Sequence, residues 1–237
     1  MRLSAPIFHL KHKAKKLARE ARVPLHKALN QIARNEGFAS WSLLSARALV
    51  SRPSVELFGQ FASGDLILLG ARPGHGKTLL ALSLTVDAIR AGRKAVFFTL
   101  ECNHREVLDC FQSVGGDPAM LDKEFQIDCA ETINAEHIVN QLASVDQGTL
   151  IVIDYLQILD QKRNSPALSD QLSTLHAFAK RTGIIVVCIS QIDRSYELSG
   201  RSLPDMRDVR LPNPVDLTLF NKACFLNNGE VRVVMLN

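Results

Sequence analysis

The sequence predicts an α/β domain built on a mostly parallel sheet, with a small basic helical module before it. From Leu57 onward, short apolar runs alternate with helical stretches. Strands that are apolar at every position are typical of a parallel sheet covered by helices on both faces. Residues 1–52 contain 11 Lys/Arg and 2 Asp/Glu, a net charge of +9, whereas the remaining 17 basic and 22 acidic residues give −5. We therefore predict two units, residues 1–52 and residues 53–237.

The basic module is predicted to contain three short helices. Apolar residues recur at helical spacing over 10–21 and 25–33, and Gly37 follows the second stretch, where a helix commonly ends. Ser40 is a candidate N-cap for a third helix, and residues 51–54 are the best candidate for a linker. The positive charge favours an acidic partner, nucleic acid first, and docking on a protein partner stays open as the alternative.

The elements of the α/β domain follow in order along the chain. Strands are expected at 66–69, 95–100, 125–129, 150–153 and 184–189, and helices at 78–91, 105–114, 135–144 and 168–181. The last two strands, 222–226 and 230–236, are joined by an Asn-Asn-Gly sequence that favours a tight turn. The domain is therefore predicted to end in a β-hairpin.

Length and composition exclude several classes of protein. The chain has 237 residues, of which 46% are hydrophobic and 22% charged, as in ordinary globular domains and unlike disordered or collagen-like chains. The longest apolar run, 184–189, is much shorter than the roughly 18 residues that a membrane span needs. With no apolar leader before Lys11 and five cysteines that form no C-x-x-C pair, we expect free thiols, a cytoplasmic location and no membrane contact.

The strongest motif lies between the first predicted strand and the helix that follows it. Gly74 and Gly76 can adopt backbone angles that turn successive N–H groups toward phosphate oxygens, and the helix N-terminus adds partial positive charge. Lys77 brings a full charge to the β- and γ-phosphates, and the Thr78 hydroxyl can hold Mg²⁺. The residues predicted to bind nucleotide are Ala71, Arg72, Pro73, Gly74, His75, Gly76, Lys77, Thr78 and Leu79.

Three more polar residues follow predicted strands. Asp154 ends an apolar strand, where its carboxylate would hold Mg²⁺ together with Thr78. Glu101 would polarise the water that attacks the γ-phosphate, with capping of the next helix as the alternative. Gln191 would contact the γ-phosphate after the last core strand, with a plain surface amide as the alternative.

Taken in this order, the motifs resemble the RecA-like ATPase core of DnaB-type replicative helicases. The matching stretches lie within residues 65–210 and read "ARPGHGKT", "AVFFTLE", "LIVIDYLQIL" and "SQIDRS". The resemblance implies a P-loop NTPase that uses ATP and Mg²⁺. It also implies that Lys77 and Thr78 are phosphate and metal ligands, Asp154 the second metal residue, Glu101 the catalytic glutamate and Gln191 the γ-phosphate sensor.

A fifth stretch extends the resemblance to DNA. The segment "RSYELSGRSLPDMRDVR" resembles the loop with which this family grips single-stranded DNA inside a ring. The resemblance implies self-association into a ring or filament and DNA contact through Arg194, Arg201, Arg207 and Arg210. An active-site loop that does not touch DNA stays open as the alternative.

The sequence departs from the family at two places. The basic module stands where the family has a separate helical domain. In the final hairpin, "CFLNNGEVRV" carries Phe225 and Asn227 where the family has a Lys and an Arg that reach the neighbouring subunit's ATP site. Lys222 and Arg232 are the nearby cations, but their spacing differs, and loss of such an arginine finger can lower turnover by orders of magnitude.

Three functions therefore stay open. The first is a helicase-type ATPase on single-stranded DNA. The second is an ATP-binding regulator or loader without unwinding activity. The third has the basic module reading DNA while the ATPase domain only oligomerises.

Overall fold

The computed structural model of the chain describes residues 4–5, 7–41, 43–44, 53–160, 166–210, 215–227 and 230–236. The chain divides into two compact units, Met1–Pro53 and Ser54–Asn237. The first holds the basic helices and the second the α/β domain. That each unit serves a function of its own stays a prediction.

The smaller unit contains helices α1 (Ile7–Glu20) and α2 (Leu25–Asn35), in line with the helical spacing of the sequence. Pro24 directly precedes α2, and Gly37 follows it with φ +82°, the left-handed backbone that a glycine adopts at little cost. The predicted third helix falls partly outside the described residues. Ser40 nonetheless accepts the Leu43 N–H at 3.3 Å through its hydroxyl, as an N-cap does.

The larger unit is built on one seven-stranded sheet with the order β3-β2-β4-β5-β1-β6-β7. Its strands are β1 (Leu66–Ala71), β2 (Ala95–Thr99), β3 (Phe125–Asp128), β4 (Leu150–Asp154), β5 (Ile185–Gln191), β6 (Lys222–Asn227) and β7 (Glu230–Met235). Neighbouring strands are parallel except β6 and β7, which pair antiparallel. The mostly parallel sheet and the C-terminal hairpin are therefore confirmed, while Asn228 and Gly229 of the predicted turn lie outside the described residues.

Helices cover both faces of the sheet. They are α3 (Pro53–Phe58), α4 (Lys77–Arg90), α5 (His104–Ser113), α6 (Ala135–Gln141) and α7 (Leu168–Thr182). Leu66 and Leu68 of β1 pack in the core layer of α6 and α7, and Ile67 and Leu69 pack in the layer of α3, α4 and α5. Successive side chains of a strand point to opposite faces, so a strand between two helical layers must be apolar throughout. Burying each of these side chains stabilises the fold by about 1.5–3 kcal/mol.

The linker predicted at 51–54 differs from the structure in its second half, since Pro53 and Ser54 belong to α3, and residues 51 and 52 lie outside the described residues. Proline is favoured in the first turn of a helix because the N–H that it lacks would have no intrahelical partner there. All five cysteines are free thiols. No helix within the described ranges combines the length and the apolar character that a bilayer crossing requires.

Candidate nucleotide site

The predicted phosphate loop lies at the carboxyl edge of the sheet. β1 ends at Ala71 and α4 begins at Lys77. Between them Gly74 and Gly76 have φ values of +79° and +86°, and a Cβ added to either would meet no atom within 4 Å. The backbone therefore turns through left-handed conformations beside open space, which leaves room for a ligand next to the N–H groups of the loop.

Lys77 and Glu101 meet at the start of α4. The Lys77 Nζ lies 3.3 Å from Glu101 Oε2, with the lysine buried and the glutamate partly exposed. Glu101 comes two residues after the end of β2, and its N–H donates to the Thr99 hydroxyl oxygen at 3.1 Å. The alternative role of Glu101 as a helix cap is wrong, because Asn103 caps α5 by accepting the Glu106 N–H at 3.0 Å.

Thr78 and Asp154 form the second pair of the site. The Thr78 hydroxyl donates to Asp154 Oδ2 at 2.8 Å, and Asp154 Oδ1 is buried without a hydrogen-bond partner. Burial raises the pKa of Asp154 to about 6, against the opposing effects of the Lys77 charge and the Thr78 hydrogen bond. A buried carboxylate oxygen without a partner is unfavourable on its own. Beside a hydroxyl it is the oxygen donor set that a hard cation such as Mg²⁺ prefers, so these residues fit that ion.

Gln191 connects the phosphate loop to the segment that follows β5. It is the last residue of β5 and pairs in register with Ala71, the last residue of β1. Its carbonyl oxygen accepts the Arg210 N–H at 2.8 Å, and the next carbonyl, of Ile192, accepts from Arg72 Nη1 at 3.1 Å. The predicted sensor thus lies beside the start of the phosphate loop and in contact with the arginine-rich segment.

That segment, residues 194–210, is called the arginine segment here. Arg201 forms ion pairs with Asp205 and, at 2.6 Å, with Asp208. Arg207 lies 2.7 Å from Asp205, and hydrogen bonds from Arg207 hold the pKa of Asp205 well below its usual range. The four arginines predicted to contact DNA therefore fall into two classes.

Arg194 and Arg210 are exposed, and no ion pair to either is found among the described residues. Arg201 and Arg207 are engaged by acidic residues within the segment. The role of all four in DNA contact stays a prediction.

In the C-terminal hairpin, the residues at the two finger positions and the nearby Arg232 all contact their own chain. The Phe225 ring is buried and approaches to 3.1 Å the position that a Cβ on Gly70 would occupy. Asn227 donates its amide to the Ser202 carbonyl at 2.8 Å, and Arg232 donates to the Pro204 carbonyl at 2.9 Å. Asn227 and Arg232 therefore bind the arginine segment to the C-terminal hairpin.

Lys222 lies at the other end of β6 and is buried in an ion pair with Asp65. In register it pairs with Ile67, near the start of β1. Because this ion pair buries Lys222 within its own chain, its charge is not exposed to serve a neighbouring subunit as a substitute finger.

Sequence reasoning missed three residues of this region. The acids Asp205 and Asp208 follow Arg201 at spacings of four and seven residues, which could have indicated internal pairing. Gln157 donates its side-chain amide to the Arg210 carbonyl at 2.8 Å, and it lies inside the "IDYLQIL" stretch already singled out. The sequence therefore contained a pattern that pointed to each of the three residues. It did not show which atom each side chain would bind.

Comparison with known proteins identifies relatives for most of the chain. The family model of the DnaB-like helicase C terminal domain matches residues 56–115 and 109–215. A probable plasmid replicative DNA helicase of Chlamydia trachomatis is 27% identical over 207 residues, covering 73% of this chain and 46% of the relative. The replicative DNA helicase DnaB of Mycoplasma pneumoniae is 26% identical over 210 residues, covering 71% of this chain and 44% of the relative. The chain thus spans less than half the length of these relatives.

Solved structures agree in fold. A DnaB-like replicative helicase aligns with a TM-score of 0.59 at 16% identity, covering 92% of this chain and 66% of that one. A solved ATPase domain aligns with a TM-score of 0.57 at 16% identity, covering 81% of this chain and 92% of that one. Both likenesses confirm the RecA-like architecture predicted from the motifs.

Proposed function

The chain belongs to the family of DnaB-like helicase C-terminal domains, and from that premise we propose that it is a Mg²⁺-dependent ATPase of the helicase type that acts on single-stranded DNA. The observation that carries the proposal is the buried Asp154 oxygen without a partner, beside the Thr78 hydroxyl, at the open glycine loop. Buried polar groups are nearly always paired, and those that are not need a reason, such as an ion that they bind.

Each residue of the site has a defined task in this proposal. Backbone N–H groups at Gly74 and Gly76 hold phosphate oxygens, and Lys77 adds a full charge there. Thr78 and Asp154 hold Mg²⁺, which when bound neutralises charge that develops on the transferring phosphoryl group. Asp154 binds the metal as the carboxylate, so its pKa of about 6 predicts weaker metal binding at more acidic pH.

Glu101 is proposed to orient and deprotonate the attacking water. Its carboxylate lies 3.3 Å from Lys77, so the lysine can contact either this carboxylate or a phosphate. A lysine drawn toward phosphate leaves Glu101 free to accept a proton. Gln191, beside Ala71 and bonded to Arg210 through its carbonyl, is proposed to relay the state of the site to the arginine segment.

DNA contact and assembly complete the proposal. Arg194 and Arg210 would bind the phosphate backbone of a single strand. Self-association into a ring or filament would place the ATP sites between subunits. The protein would work in the cytoplasm, where ATP, Mg²⁺ and DNA meet.

A second function is favoured by the hairpin. The side chains at the two finger positions are Phe225, which is buried, and Asn227, which contacts Ser202 of its own chain. A subunit without a cation at these positions would hydrolyse ATP slowly. The alternative is therefore an ATP-binding regulator or loader that switches conformation but does not unwind DNA.

One experiment tests the proposal and separates the two functions. ATP turnover by the full chain is measured with and without single-stranded DNA, together with the particle mass and strand separation. We expect Mg²⁺-dependent turnover, stimulated by DNA, that Lys77→Ala lowers about 100-fold or more because the phosphate charge is lost. The variant Lys94→Ala, which changes an exposed lysine in an ion pair with Asp146, is the matched control.

Full turnover by Lys77→Ala would contradict the mechanism. DNA-stimulated turnover without strand separation would favour the regulator or loader.

A further inference from the structure

We propose that the smaller unit carries a second nucleic-acid surface, the exposed basic face of α1 and α2, which binds the phosphate backbone of double-stranded DNA. This surface is defined by Lys11, Lys15, Lys16, Arg19, Lys27 and Arg34. It is separate from the proposed single-strand contacts of the arginine segment, and it does not depend on nucleotide.

Three of the five basic residues of α1 form one row along the helix. Leu10 and Ala14 are buried and form the apolar stripe of the helix. Lys11, Lys15 and Arg19 follow at intervals of four residues, so they lie in a row away from that stripe. At about 1.5 Å of rise per residue, the row spans roughly 12 Å, with neighbouring charges about 6 Å apart.

The charge is not neutralised within the unit. Its described residues include eight Lys and Arg side chains, all exposed, and two acids, a net charge of +6. One acid, Glu20, lies 3.7 Å from Lys16, and the other, Glu36, accepts hydrogen bonds from Ser4. Such a positive field raises the local concentration of polyanions and speeds their association.

The surface fits duplex DNA better than a membrane. A basic helix that lies on a bilayer needs a free apolar face to insert among the lipids. In α1 the described residues Leu10 and Ala14 of that stripe are already buried, at 1% and 0% exposed.

The surface also fits a duplex better than a single strand. Proteins that hold single strands without sequence preference stack the bases on aromatic side chains. The aromatic side chains described in this unit, Phe38 and Trp41, pack against its small core. Duplex DNA instead offers a dense row of phosphates, one charge per about 1.7 Å of axis, to which lysine and arginine can bind without reading the bases.

The test measures binding of the full chain, without nucleotide, to a short blunt duplex over a range of salt concentrations. The triple variant Lys11→Gln, Lys15→Gln, Arg19→Gln is compared with a control triple, Lys94→Gln, Lys123→Gln, Lys180→Gln, on exposed sites of the larger unit. Both triples lower the net charge by the same amount. We expect the first to reduce the slope of log K against log salt by about 2.7, at roughly 0.9 per phosphate contact, and to weaken binding more than tenfold.

The control triple should change slope and affinity little, and ATP turnover should stay the same in both. Equal losses in the two triples would reveal a mere net-charge effect and overturn the proposal. Tighter binding to a single strand of the same length, or binding only to an acidic protein such as poly-glutamate, would overturn it as well. If the triple does not fold, Lys15→Gln alone should reduce the slope by about 0.9. If the proposed ATPase function is wrong, ATP turnover will be absent, but the salt dependence of duplex binding, measured without nucleotide, will not change.

Discussion

The phosphate loop and the arginine segment lie at the same edge of the sheet, yet they differ in whether the polar side chains there have partners within the chain. The loop glycines face open space, and beside the loop Asp154, at the end of β4, has a buried oxygen without a partner. In the arginine segment, Arg201 and Arg207 are paired with Asp205 and Asp208. The N–H of Asp193 also donates to the Asp208 carbonyl at 2.7 Å, which closes the segment on itself.

In the proposed function, the difference separates groups kept for a ligand from groups that maintain the fold. An unpaired buried oxygen costs free energy unless an external group binds it. A salt-bridged arginine holds its own segment together and must give up that partner before it binds a phosphate. Residue type alone therefore does not reveal which arginine is available.

The largest expected effect is at Asp154, and it has opposite signs for activity and stability. We expect Asp154→Asn to lower ATP turnover about 100-fold or more, because a metal ligand and its charge are lost. The carboxyl has a pKa of about 6 in the folded protein against 3.8 in the reference state. Its ionisation therefore destabilises the metal-free fold by up to about 3 kcal/mol as the pH rises from roughly 4 to 6.

Urea unfolding in a metal chelator, from pH 4 to pH 8, measures this directly. The parent should lose unfolding free energy over that range relative to Asp154→Asn, and Mg²⁺ should restore part of it. Asp146→Asn, an exposed acid in an ion pair with Lys94, should leave the pH dependence unchanged. If the free energy of unfolding changed with pH in the same way for the parent and for Asp154→Asn, burial would not be destabilising the ionised Asp154 carboxylate.

A smaller effect is expected at Arg201. Its removal by Arg201→Ala leaves Asp208, which is 7% exposed, without its cation. We expect the free energy of unfolding to fall by about 1–3 kcal/mol, the usual cost of an unsatisfied buried group. Denaturant unfolding checks this, with Arg194→Ala, an exposed site, as the control that should change stability little. Equal stability of the two variants would remove the distinction between the arginine classes.

The smallest effect concerns DNA affinity. Arg194→Ala and Arg210→Ala should each reduce the salt slope of single-strand binding by about 0.7, because each removes one phosphate contact. Fluorescence anisotropy with a poly(dT) strand at several salt concentrations measures it. Arg207→Ala serves as the comparison, since its guanidinium is engaged by Asp205, and it should change the slope less. A larger loss for Arg207→Ala would mean that the ion pairs open on DNA.

Most of the fold followed from pattern, and the exceptions have local causes. β1 is predicted at 66–69 but runs on to Ala71, because Gly70 and Ala71 pair with Ser190 and Gln191 of β5. Glycine weakens a strand by itself, but here Phe225 and Ile192 pack closely against Gly70. The six-residue helix α3 went unpredicted, since so short a stretch shows little periodicity.

For the candidate site, the sequence indicated which residues matter but not how they pair. The strand ends predicted that Asp154 and Thr78 would share an edge, as they do. The contact of Lys77 with Glu101 could not be predicted, because it joins the start of a helix to a loop 24 residues away. The functional roles of these residues stay predictions until turnover is measured.

The sequence by itself determined the sheet, the helices on both faces and the phosphate loop, because hydrophobic period and glycine spacing act locally. It also determined the charge asymmetry between the two units, which composition alone sets. Only the tertiary structure decided which charges are available, leaving an Asp154 oxygen unpaired, tying Arg201 to two acids and burying Lys222 beside Asp65. Burial and pairing depend on neighbours far apart in the chain, so a charge acquires its role only after the chain has folded around it.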